Sequence, residues 1–307
     1  MVGFASGFLT LVLPALLGYL ARRLDIISAG AERDLNRLVF YFALPAMVLS
    51  NLVTADLAAL FGAQLLVQII VIVLAIIIYL IANQFLPGTK VSGGPLIIAV
   101  MAGFYANLGN IGMPIALAVV GDASVMVPFL LLQQLVFMPV ALASLERASV
   151  GSFSWRQLLA LPFKNPLLLT AFFGLLIAAF RIPVPDIILV PLRAFGAGAV
   201  PMVMVAFGAG LVGRRLLSET KTRGALAIVV KSLIMPLAAF IISQLMGLTP
   251  RETLIAVMVA GLPTAGNVYN FSQKFRIGES MARDAVAATT IISPVIIFLL
   301  ALVLATY

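Results

Sequence analysis

The chain has 307 residues, 63% of them hydrophobic and 10% charged, with a net charge of +8 and a mean hydropathy of +1.19. Soluble domains carry about 25% charged residues, so a water-soluble fold is excluded. Cysteine and histidine are both absent, which removes disulfides, thiolate chemistry, thiol or imidazole metal sites and histidine proton relays.

Apolar runs close to the 20 or so residues that a helix needs to cross hydrocarbon predict ten membrane spans. The first covers residues 4–21, and its cations follow the apolar run, whereas a cleavable signal peptide carries them before it. Spans at 36–53 and 60–82 lead to an unusually long fourth, 94–121. There "NLGNIGMP" (107–114) sets two asparagines, two glycines and a proline inside uncharged sequence. Spans at 124–145, 165–181, 191–212 and 224–247 follow. The ninth, 252–273, contains "LPTAGNVYN" (262–270), and the tenth covers 284–306.

Of the 19 cations, Lys231 falls inside a span. Arg181, Arg193 and Arg251 fall on one side of a ten-span topology and the other fifteen on the opposite side. The positive-inside rule makes the richer side cytoplasmic, with both termini outside. The positive total therefore needs no nucleic acid to explain it.

Internal matches recur at nearly one offset. "NRLVFYFALPAMV" from Asn36 resembles "LRAFGAGAVPMVM" from Leu192, "AVMAGFYANLGN" from Ala99 resembles "AVMVAGLPTAGN" from Ala256, and Pro139 corresponds to Pro294. The chain reads as two five-helix repeats, 1–150 and 151–307. Five is odd, so the second repeat enters the membrane from the opposite face, an inverted arrangement found mainly in transporters.

Both interruptions lie near the middle of their spans. Gly109 and Gly266 relax the backbone, while Pro114 and Pro263 remove a donor. Unwound backbone at membrane depth is tolerated only where it is buried in protein or lines a watery cavity, so the paired breaks in helices 4 and 9 are expected to cross at mid-membrane and form the binding site. Each break starts a half-helix whose N–H groups and positive dipole end suit an anion. The amides of Asn107, Asn110, Asn267 and Asn270, with Thr264 and Tyr269 as hydroxyl donors, would bind a carboxylate without a permanent charge in the bilayer. Asn107 and Asn110, three apart, need not share a face.

Lys231 lies about 10 Å into the eighth span at 1.5 Å per residue and either snorkels to the interface or reaches inward as counter-ion to the substrate. Gln133, Gln134, Gln68, Ser50 and Asn51 are read as interhelical hydrogen-bonding groups. All eleven carboxylates, Asp284 among them, are placed at or beyond helix ends. An inside-negative potential expels an anion with about 2.3 kcal/mol per charge per 100 mV, so export needs no buried acid. No aspartate pair, histidine or cysteine remains to build a membrane-embedded hydrolase.

Ten spans, "NLGNIGMPIALAVVG" in the first crossover and "GLPTAGNVYNFSQKF" in the second resemble the auxin efflux carrier family, in its short bacterial form without the long central loop. The resemblance covers essentially the whole chain. It implies the fold shared with bile acid and sodium symporters, with helices 1, 2, 6 and 7 as scaffold and helices 3–5 and 8–10 as a transport domain. It also implies elevator-type motion, homodimers through the scaffold, and organic anions as cargo. Asn107 and Pro114 match the family's fourth span, and Leu262 and Pro263 its ninth, where "AGNVYN" departs from the plant pattern. The expected protein is thus an all-α exporter of a small carboxylate in the cytoplasmic (inner) membrane, surrounded by lipid, without cofactor or metal. Sodium-coupled import of an organic acid is the alternative.

Overall fold

The computed structural model describes residues 2–55, 57, 61–150, 165–212 and 222–304. Arg156, Lys164, Arg214, Arg215 and Lys221 of the predicted basic side, and the carboxylates Asp56 and Glu219, lie outside the described residues. Among those described the chain is helical throughout, with one isolated two-residue β-bridge. The helices are α1 (Val2–Arg23), α2 (Ala31–Leu52), α3 (Ala63–Phe85), α4 (Gly94–Phe104), α5 (Leu108–Val120), α6 (Ser124–Ser149), α7 (Pro166–Ala179), α8 (Asp186–Gly210), α9 (Gly224–Leu245), α10 (Pro250–Gly261), α11 (Gly266–Phe275) and α12 (Glu279–Leu304). Six of them, α2, α3, α6, α8, α9 and α12, are long and apolar enough to cross a membrane. The protein is an all-helical, multi-pass membrane protein.

Helix starts follow local chemistry. Asn165 caps α7 by accepting from Leu167 N–H (3.0 Å) and Leu168 N–H (3.4 Å), with Pro166 at the first helical position, where its missing donor costs nothing. Thr249 and Glu252 form a reciprocal capping box at the start of α10.

Four helices contain a π-helical turn, at Val39–Ala43, Leu108–Gly112, Gln133–Phe137 and Val230–Ile234. Each is followed two residues later by a proline: Pro45, Pro114, Pro139 and Pro236. A proline ring clashes with the carbonyl four residues before it and offers that carbonyl no N–H. In all four helices this carbonyl lies inside the wide turn, which moves it aside at little cost.

The chain divides into two compact units. The first comprises Met1–Phe61, Gly109–Leu130 and Pro162–Arg214, and the second Gly62–Leu108, Leu131–Leu161 and Arg215–Tyr307. In the first unit α1 packs on the second half of α8 by close backbone approach. A Cβ at Gly18 would collide with the Val205 backbone, and one at Gly208 with the Ala15 carbonyl. The first half of α8 meets α2 in the same way, Gly196 lying over the Met47 backbone. In the second unit the core gathers around α4, α9 and α10, with Val71, Ile98, Ala102, Tyr105, Val230, Ala256, Ala260 and Val268 almost wholly buried.

Candidate functional site: a paired break in the second unit

Helix α4 ends at Phe104, and residues 105–107 are extended, Tyr105 adopting φ −74° and ψ 103°. Helix α10 ends at Gly261, after which Leu262 (φ −57°, ψ 147°) leads through an extended stretch to Ala265 (φ −67°, ψ 141°) ahead of α11. The two stretches run antiparallel and pair. Asn107 N–H donates to Pro263 O at 2.8 Å and Ala265 N–H to Tyr105 O at 2.9 Å, with Ala106 opposite Thr264. Broken backbone in an apolar interior must find partners for its peptide groups, and each break supplies part of what the other needs.

Side chains supply the rest. Gln133, in the wide turn of α6, uses both ends of its amide on one residue: Oε1 accepts from Ala106 N–H at 2.9 Å and Nε2 donates to Ala106 O at 2.8 Å. On the other break, Thr264 N–H donates to Thr289 Oγ1 at 3.0 Å, while the Thr264 hydroxyl donates to Ala102 O at 2.7 Å in the last turn of α4. The Thr289 hydroxyl donates to Ala285 O at 2.7 Å. At the end of α10, Lys231 Nζ donates to Ala260 O at 2.7 Å and lies 3.6 Å from Met235 Sδ. Gln133 and Thr289 thus play matching parts, one for each break.

Within the second unit the structure brings together Asn107, Pro263, Thr264, Gly266 and Asn267, with Lys231 on the carbonyl of Ala260. Their roles differ from those expected. Thr264 is fully buried and its hydroxyl is committed to Ala102 O, so it holds the site rather than facing a guest. Pro263 is buried, with its carbonyl taken by Asn107. Lys231 neither snorkels nor reaches open space: its side chain has 0% exposure and its ammonium sits on a helix end. Tyr269 is half-buried, and its hydroxyl accepts from Gln273 Nε2 at 3.0 Å. The remaining donors surround the start of α11, where Gly266 and Asn270 are exposed and Asn267 is half-buried. A Cβ at Gly266 would meet nothing within 4 Å, so there is room beside the first residue of α11.

The first break requires a correction. It falls at residues 105–107, immediately before most of the expected motif. Gly109 and Asn110, both half-buried, belong to the wide turn that opens α5, and Pro114 is buried in the first turn of regular helix after it. At that position proline starts a helix instead of breaking one. These three residues are assigned to the first unit. Asp284 is a second correction: α12 begins at Glu279, so this carboxylate lies within the helix, 1% exposed, with Arg283 Nε 3.1 Å away.

Gln133 and Thr289 were not singled out for the site from sequence. A usable signal exists for Gln133, since the polar residues Asn110, Gln133 and Lys231 all precede a proline by four to six positions in apolar sequence. Thr289 carries no such mark.

The model of the "Membrane transport protein" family matches residues 6–154 and 146–301. An uncharacterized transporter of Methanocaldococcus jannaschii is 21% identical over 298 residues, 95% of this chain and 96% of that protein. A protein of Rhizobium meliloti named "Putative malonate transporter" is 27% identical over 295 residues, 90% of this chain and 88% of that one.

Proposed function

Because the chain belongs to the auxin efflux carrier family of membrane transport proteins, we propose that it carries a small organic anion across the membrane, recognised at the paired break of its second unit. The family and both relatives are transporters, so the activity is transport and not catalysis. The observation that carries the anion reading is the exposed start of α11, which has no side-chain cap, Asn267 and Asn270 around it, and no acidic residue in the helix. Helix N-termini of this kind favour carboxylates by donor supply and by roughly half a positive charge. Asn107 and Tyr269 complete the donor set. Gly109 and Asn110, in the first unit, stand at the start of α5, where Pro114 brings no donor of its own.

The name of the Rhizobium meliloti relative makes malonate the first probe. The wider scheme has ten spans in two inverted repeats, with broken helices 4 and 9 crossing at mid-membrane. Three sequence matches at nearly one offset support it, as do the parallel duties of Gln133 and Thr289. Helices 1, 2, 6 and 7 then serve as scaffold and homodimer contact and helices 3–5 and 8–10 as the moving body of an elevator. Large apolar side chains exposed on α8 of the first unit, Ile187 at 83% and Val190 at 59%, suit lipid or a second copy. Cation asymmetry supports a cytoplasmic membrane location with both termini outside. Export follows from the inside-negative potential.

Purified protein in proteoliposomes loaded with labelled malonate tests this. Efflux is expected to rise when the interior is made negative and to be indifferent to a sodium gradient. Uptake driven by sodium would replace export with symport. If malonate and a panel of other short carboxylates neither move nor raise the melting temperature, the anion reading falls.

A further inference from the structure

We propose that Lys231 is the carrier's resident cation: an ammonium group on the C-terminal end of α10 that biases the crossover toward an anionic guest and takes the place of a soluble coupling cation. This rests on the anion-carrier reading above and deepens it.

A bilayer-spanning protein keeps a buried charge only for a reason, because burial there is costly. Lys231 is buried along its whole length, and among the described residues no ion pair reaches it. Its partner is the Ala260 carbonyl, in the last turn of a helix that stops one residue later. Such carbonyls lack intrahelical donors and carry the negative end of the dipole, about half a charge. The end of a broken helix is therefore a natural seat for a small monovalent cation, and here the side chain of Lys231 fills it. The half-charge of the helix end offsets only part of the ammonium charge, so the empty crossover is left net positive. Six residues on from Ala260, Gly266 opens the donor end of α11, where the guest would lie.

Among the described residues no charged side chain of the neighbouring elements is in contact with Lys231. Helices α3 and α4 contain no charged residue; Tyr79 of α3 contributes only a buried hydroxyl. On α10 the charges are Arg251 and Glu252, at the opposite end of the helix from Ala260. On α12 they are Glu279, Arg283 and Asp284, all in its first six residues, and Asp284 accepts from Arg283. The seat itself is built: Pro236 forces the wide turn Val230–Ile234 that carries Lys231.

The test uses full-length protein and malonate, following both the thermal shift on binding and flux in proteoliposomes. Wild-type flux should agree within about twofold in sodium and choline media. Lys231→Ala should bind malonate at least about tenfold more weakly, as expected for loss of one charge at partly screened range. Ethylammonium should restore that binding and ethanol should not, because a cation and not bulk is missing. Lys231→Arg should retain flux. Lys231→Met preserves length and packing, so it provides the reading if the alanine variant does not fold, and it should share the tenfold loss. A saturable sodium requirement in wild type, or wild-type affinity in Lys231→Met, overturns the inference while leaving the carrier reading intact. Wild-type protein that binds no carboxylate at all sinks both.

Discussion

Gln133 shows how much one side chain can settle in an apolar interior. Its amide imitates a neighbouring strand for Ala106, donating and accepting in one plane. Leucine at this position would leave the Ala106 N–H without its partner, while the Ala106 carbonyl would keep only the bond from Leu108 N–H. At about 1–3 kcal/mol for a stranded group, Gln133→Leu should lower stability by about 1–3 kcal/mol in a denaturation titration of the detergent-solubilised protein. Thr264→Val preserves shape and removes the bond to Ala102 O; the expected cost is about 1 kcal/mol, seen as a lower melting temperature. Among the described residues Asn267 makes no such structural bond, so Asn267→Ala should weaken malonate binding by about tenfold, or roughly 1.4 kcal/mol, with the melting temperature of the empty protein unchanged. Residue types in the breaks were legible in the sequence because Asn, Gly and Pro stand out against apolar surroundings. Their roles were not: a threonine hydroxyl can face a guest or a carbonyl, and only the fold brings Ala102 to Thr264.

At the scale of elements, proline position explains both what was read correctly and what slipped. Pro263 lies inside its break and Pro114 after its own, although both appeared equally disruptive as sequence. The difference is the wide turn Leu108–Gly112, which absorbs the steric demand of Pro114 and lets helix continue. Wide turns leave no periodicity mark in uniformly apolar sequence, so their placement was out of reach, whereas the apolar runs themselves gave the helices to within a few residues. The same device aims Lys231 and Gln133, each riding a turn made by a downstream proline. Replacing Pro236 with alanine should let α9 close to regular geometry. Loss of one residue from the wide turn would rotate Lys231 by about 100° relative to the helix beyond it, away from Ala260. The expected result is weaker malonate binding at nearly unchanged helix content, measured by thermal shift and circular dichroism.

For the molecule as a whole, composition alone fixed the class: with 10% charged residues, nothing but a membrane protein was possible. The assignment of each helix to a unit was not legible, since an apolar face does not reveal which neighbour covers it. The fourth span makes this plain, as α4 is assigned to the second unit and α5 to the first. Glycine carries the information that hydropathy lacks. Gly18 and Gly208 permit α1 and α8 to touch backbone to backbone, and a larger residue at either place must push the helices apart. Overpacking costs about 1–3 kcal/mol, so Gly208→Val should reduce both the yield of folded protein and its melting temperature, without directly touching the anion-binding donors.

The pairing of Ala106 with Thr264 joins positions 158 apart in the chain. During synthesis, at about 5–20 residues per second, the first extended stretch emerges roughly 8 to 30 s before its partner exists. For that interval a nascent chain holds peptide groups that lipid cannot satisfy, so insertion machinery or trapped water must shelter them. The last third of the polypeptide therefore completes a structure begun far upstream, and a ribosome stalled before Thr264 would leave behind a protein without that pairing.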